Sequence, residues 1–230
     1  MGFWDRLKKV VRRATDVTIV SLRGHRLAVV GQTAVGKTRL LNYMLADALP
    51  AAGGYEATHT ETYRLTRNRG NGHDVRLKSG TDVGGAAHLR DAHWEDACIG
   101  ADAVFYLARA DLILNEADPE HEAHARRIEE DVSMIETWIR RRFESNGGVL
   151  DKRFVYVATF CDQVEGYEGT QARGAPAVRD RLYQSPCVKP QIDRLKPYVR
   201  HTGFVFGSTA TPAEARRLKE LLIKEGAIGK

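Results

Sequence analysis

RLAVVGQTAVGKTRLLNYML, residues 26–45, decides the fold. A short β-rich apolar run ends at Gly31, and Gly31-Gln32-Thr33-Ala34-Val35-Gly36-Lys37-Thr38 matches G-x-x-x-x-G-K-[ST]. An amphipathic helical pattern follows. Each part has a chemical reason. The glycines permit a tight loop whose backbone N–H groups point inward at phosphate oxygens. The candidate cradle is Gly31, Thr33, Ala34, Val35, Gly36, Lys37, Thr38 and Arg39, at the start of a helix whose N-terminus favours anions. Lys37 is placed to reach β- and γ-phosphates, and the Thr38 hydroxyl to hold Mg²⁺. Strand, loop and helix stand in the order this chemistry needs, so the sequence predicts nucleotide binding.

The composition fits that reading. The chain has 230 residues, of which 43% are hydrophobic and 28% charged, enough to bury a sizeable core and far from a disordered composition. No apolar run approaches the roughly 20 residues of a membrane span, and no secretory signal is expected at the N-terminus. Cys98, Cys161 and Cys187 are scattered and odd in number, which argues for reduced thiols and a cytoplasmic protein. The net charge is +5, with a basic block at residues 6–13 and smaller clusters at Arg126-Arg127 and Arg140-Arg141-Arg142. Charge runs on helices are usually solvated faces, so no nucleic-acid partner is expected.

Strand-like runs fall at 26–30, 62–66, 74–77, 103–108, 153–158 and 203–206. Helical patterns fall at 37–48, 86–98, 119–144, 178–196 and 212–225. RNRGNGHD, residues 67–74, is rich in Gly and Asn and reads as the turn of a hairpin between 62–66 and 74–77. This alternation predicts an α/β fold with a mostly parallel six-stranded sheet, helices on both faces and one antiparallel edge hairpin. Residues 1–20 read as a separate basic amphipathic helix ahead of a nucleotide-binding domain at 21–230. Phe3, Leu7, Val10, Ala14 and Val17 share a stripe, and Arg6, Lys8, Lys9, Arg12 and Arg13 occupy the other faces. Such a helix suits an anionic membrane surface, which would make the protein peripheral; packing on its own domain or on a partner is the alternative. Met1-Gly2 lacks the Ser or Thr that myristoylation wants at position 6.

A second phosphate element is Asp82-Val83-Gly84-Gly85, a D-x-x-G arrangement before a helical stretch. Asp82 is suited to act on Mg²⁺ through a water, and the Gly85 amide to meet a γ-phosphate. Asp82-Val83-Gly84-Gly85, Leu89-Arg90, Trp94 and the N-terminal helix together resemble ADP-ribosylation-factor-type small GTPases and Gα subunits, over roughly residues 25 to 210. The resemblance implies the G-domain version of the P-loop NTPase fold. It also implies GTP and GDP as ligands, Mg²⁺ as cofactor, and a protein effector or regulator as partner. It further implies a switch I Thr that joins Mg²⁺ and contributes to catalysis beside Lys37. Thr58 and Thr60 both offer themselves, with Thr58 preferred. Where the family carries a catalytic Gln after D-x-x-G, this chain has Ala86, which cannot orient a water, so hydrolysis is expected to be slow.

The family reads guanine with Asn-Lys-x-Asp after a late strand. Here the tetrad is Thr159-Phe160-Cys161-Asp162. Asp162 keeps the acceptor for guanine N1–H and the exocyclic amine, Thr159 keeps a hydroxyl for tying loops, and Phe160 either stacks on the purine or turns into the core. Gly207-Ser208-Thr209 is similar to the family's Ser-Ala segment, so Ser208 and Thr209 join the base site. Two alternatives stand beside a GTP-binding switch: a GTP-binding interaction module that does not hydrolyse, and an ATP-dependent P-loop enzyme. His121 and His124, in HEAH at residues 121–124, are one residue short of metalloprotease spacing, and no metal is expected there.

Overall fold

The computed structural model describes residues 18–22, 25–37, 39–40, 43, 75–77, 87–171 and 173–225. The strands are β1 (Thr18–Leu22), β2 (His25–Gly31), β3 (Val75–Leu77), β4 (Ala103–Arg109), β5 (Leu150–Thr159) and β6 (Val199–Phe206). The helices with described bounds are α1 (Ala87–Gly100), α2 (Ala110–Leu114), α3 (His121–Asn146), α4 (Ala175–Gln184), α5 (Lys189–Leu195) and α6 (Pro212–Glu225). Lys37, Arg39, Leu40 and Tyr43 are also helical, following the Gly31–Lys37 loop.

Among the described residues one sheet runs β3-β1-β2-β4-β5-β6. β2, β4, β5 and β6 are parallel, and β1 is antiparallel to both β2 and β3. β4 and the second half of β5, Phe154 to Ala158, read as unbroken apolar runs because both of their faces are covered. On one face Val30, Val104, Tyr106, Phe154 and Tyr156 pack with Trp94, Ile128, Ile135 and Leu182 from the helices. On the other, Val29, Phe105, Val155, Val157 and Val205 pack with Leu40, Leu218 and Leu222. This is the expected α/β architecture, with helices on both faces of a mostly parallel sheet.

Register places the functional edge. Gly31 pairs with Leu107, Arg109 with Thr159, and Ala158 with Phe206, so the parallel strands end along one rim. Ligands of open α/β sheets bind outside such a rim. Gly31 is required by the close approach: with φ of 143°, a Cβ there would lie 2.3 Å from the Leu107 carbonyl oxygen.

Three expectations change. Thr18, Ile19 and Val20, assigned from sequence to the N-terminal helix, belong to β1; their β-branched run favours a strand, and the sheet starts there. Residues 1–17 lie outside the described residues. Among the described residues the antiparallel pairs are β1–β2 and β1–β3, and β1 had no counterpart among the expected strands. The strand expected at 62–66, and with it the expected hairpin to 74–77, lies outside the described residues. The single helix expected at 178–196 is two, α4 and α5, each with a Pro in its first turn. Ser185-Pro186 separates them, because a residue before Pro is pushed out of the helical region. The short α2, directly after β4, was not anticipated.

Candidate functional site

The loop after β2 is built to turn tightly. Ala34 takes φ of 62° and Gly36 φ of 85°, and Val35 is buried beneath them. Lys37 starts the helix, and its ammonium donates to the Gly31 carbonyl at 2.9 Å and the Gln32 carbonyl at 2.5 Å. The Leu40 amide donates to the Gly36 carbonyl at 2.9 Å, closing the first helical turn. The lysine charge is therefore folded back over the loop whose amides were expected to form the cradle.

Thr159 ends β5 and is buried. Its hydroxyl lies 2.9 Å from the Val35 carbonyl and 3.0 Å from the Ala108 carbonyl, so it bridges the loop after β2 and the end of β4. Loop-tying was the role expected of it. Phe160 follows in the left-handed region with φ of 56°, uncommon for a bulky residue. It does not turn into the core. The Arg109 guanidinium sits over its ring, 4.9 Å from the centroid, and ring atom Cε2 lies 3.4 Å from where a Cβ on Gly36 would stand. Arg109 is itself held by both carboxylate oxygens of Asp111. The ring thus spans the distance between the phosphate loop and β4, and a cation–π contact fixes it.

Asp162 is exposed, on a short 3-10 turn at Cys161–Gln163. One carboxylate oxygen accepts the Ser208 hydroxyl at 2.5 Å, and the other accepts the Gln163 amide at 2.7 Å. Ser208, fully buried, accepts the Ala210 amide at 2.9 Å. Both tips are joined by the backbone as well: Cys161 N–H donates to Gly207 and Gly207 N–H to Ala158. Thr209 contributes its carbonyl, which accepts Arg39 Nε at 2.8 Å, so Arg39 joins the loop's helix to the turn after β6. Cys161 is buried and its thiol is pushed up by that burial, which makes it inert.

The structure therefore brings Gly31, Thr33, Ala34, Val35, Gly36, Lys37, Arg39, Thr159, Phe160, Asp162, Ser208 and Thr209 to one rim. Thr38, Thr58, Thr60, Asp82, Gly85 and Ala86 lie outside the described residues. His121 and His124 do not converge: His121 Nδ1 lies 2.7 Å from the Leu112 carbonyl, and His124 faces Gln32 and the Arg109 amide. Among the described residues no group of three His, Cys, Asp or Glu side chains could hold a metal ion. No helix among them is long and apolar enough to cross a membrane. Arg109 and Gln32 escaped the sequence reading. Arg109 belongs to no motif, and only the β4–β5 register brings it beside the Thr159-Phe160 step.

No family model matches the chain, and no curated protein matches it. Among solved structures, the chain is similar to a GTP-binding protein from Sulfolobus solfataricus in complex with GDP, with a TM-score of 0.48 and 13% identity. That match covers 86% of this chain and 51% of the other, so this chain spans about half the archaeal protein's length. It is similar to an ADP-ribosylation-factor-like GTP-binding protein from Encephalitozoon cuniculi in complex with GDP, with a TM-score of 0.47, 15% identity and coverage of 87% and 78%. It is also similar to the mammalian SRP receptor, with a TM-score of 0.47, 16% identity and coverage of 86% and 97%.

Proposed function

We propose that this chain is a guanine-nucleotide-binding switch protein that hydrolyses GTP slowly or not at all. One observation carries the reading: the ends of β2, β5 and β6 bring the phosphate loop, Thr159 and the Ser208–Asp162 pair onto one rim, and Thr159 bonds directly to the loop at Val35. A glycine loop suited to phosphate and a carboxylate held by Ser208 on the same edge support a purine-nucleotide reading.

Each residue then has a task. Lys37 leaves the Gly31 and Gln32 carbonyls for the β- and γ-phosphates, and the loop amides take the remaining oxygens. Asp162 is held by Ser208 and Gln163, yet two carboxylate oxygens offer about four lone-pair sites, so it retains capacity for guanine N1–H and the amine. Adenine lacks that donor pair. Phe160, braced by Arg109, presents an aromatic surface where the resembling family lays a Lys stem. Thr38, Thr58 and Asp82 supply the hydroxyl and carboxylate oxygens that Mg²⁺ takes, and would hold it. When bound, Mg²⁺ neutralises phosphate charge. Ala86 has no group to orient a water, which is why hydrolysis is slow or absent. Residues 1–17 would link nucleotide state to an anionic membrane surface or a protein partner.

Displacement of a fluorescent GDP from the purified chain tests this. GDP should displace it, ADP should need at least about a hundredfold more, and Asp162→Ala should erase the difference. Equal displacement by ADP and GDP, unchanged in Asp162→Ala, rejects guanine reading and favours an ATP-dependent enzyme.

A further inference from the structure

His124 stands on α3, outside every phosphate or base motif, and only 5% of it is exposed. Both of its ring nitrogens are engaged. Nε2 lies 3.2 Å from the Arg109 backbone nitrogen, and Nδ1 lies 2.9 Å from Gln32 Oε1. A backbone N–H can only donate, so Nε2 accepts. In the neutral ring the proton then sits on Nδ1, which donates to Gln32. The Gln32 amide returns the contact, its Nε2 donating to the His124 carbonyl at 3.3 Å. The geometry fixes the tautomer and the amide orientation together.

The two partners stand at the ends of neighbouring strands, β2 and β4. Gln32 is the second residue of the phosphate loop, directly after Gly31. Arg109 ends β4 and carries the guanidinium that braces Phe160. We propose that His124 is a positioning residue that holds the loop after β2 against the Arg109–Phe160 pair, so that both fit the same nucleotide. The proposal rests on the nucleotide reading above. Burial, with the Arg109 charge nearby, keeps the ring neutral, its pKa lowered to about 4. A protonated ring would turn an N–H against the Arg109 N–H.

The ring's two bonds can be separated chemically. Asn at 124 can place an amide donor where Nδ1 stands, serving Gln32 alone. Gln can place a carbonyl oxygen where Nε2 stands, serving Arg109 alone. Release of fluorescent GDP from the full chain, and its displacement by inorganic pyrophosphate, are measured for wild type, His124→Ala, His124→Asn and His124→Gln. His124→Ala should release GDP about tenfold faster, as expected for a lost buried hydrogen bond. His124→Asn should keep wild-type pyrophosphate affinity while releasing GDP faster; His124→Gln should lose pyrophosphate affinity. Release within about twofold of wild type in a folded His124→Ala overturns the proposal. So does equal weakening of both readouts in the Asn and Gln variants, or failure of all three variants to fold, since the ring would then serve the core. If wild type itself binds no GDP, the nucleotide reading fails instead.

Discussion

Ser208 shows how much of the proposed base site hangs on one hydroxyl. It is fully buried, donates to Asp162 and accepts from the Ala210 amide. Ser208→Ala keeps the volume nearly constant but leaves Asp162 without its brace and removes the acceptor of the Ala210 amide. Nucleotide affinity should fall about tenfold, with about 1–2 kcal/mol lost in global stability; titration with fluorescent GDP and a urea melt measure the two. Unchanged GDP affinity would place Asp162 outside base recognition. Thr159, Asp162 and Ser208 could be singled out from the sequence because each is a polar residue at, or within three residues of, the end of an apolar strand. Phe160 was only half legible: its type suggested stacking or burial. Its neighbours, Arg109 on the ring and Gly36 at its edge, come from strands that only register brings together.

Elements were legible where period and punctuation agreed. β4, β5 and α3 are long and strongly patterned, and only their ends moved by a few residues. β1 was misread because Val17 continued the helical stripe of residues 1–20, while the sheet claims Thr18 onward. The joint between α1 and the sheet had no sequence signal at all. α1 has no basic residue in its last turn. Its final carbonyls are met by Lys152, buried on β5, which donates to Cys98 at 3.0 Å, Ile99 at 2.6 Å and also to Ala101. A cation at a helix C-terminus satisfies orphan carbonyls and opposes the helix dipole. Lys152→Met preserves the apolar stem and removes the donor, leaving carbonyls buried without partners. Stability should drop by about 2–3 kcal/mol in urea denaturation. An unchanged midpoint would mean that the stem, not the charge, secures α1.

Across the whole molecule, two buried groups behind the phosphate loop give opposite pH dependences. Burial raises the Asp131 carboxyl from 3.8 to about 6, held back by Arg127 at 3.1 Å and the Tyr106 hydroxyl at 3.2 Å. Burial lowers His124 from 6.5 to about 4. As pH falls from 6.5 to 4, the unfolded chain protonates its histidine while folded His124 stays neutral, so that group's stabilisation is lost. Over nearly the same window, from 6 to 3.8, folded Asp131 holds a proton that the unfolded carboxyl releases, so its burden on the fold is relieved. Each effect corresponds to about 3 kcal/mol, so the two nearly cancel in the wild type. Removing either partner should expose the other. Relative to wild type, His124→Asn should gain up to about 3 kcal/mol as pH falls from 6.5 to 4, and Asp131→Asn should lose a similar amount. Other carboxylates titrate alike in all three proteins and drop out of the differences. Urea midpoints of the nucleotide-free chains at several pH values measure this, and variant curves running parallel to wild type would show that neither group is shifted by the fold.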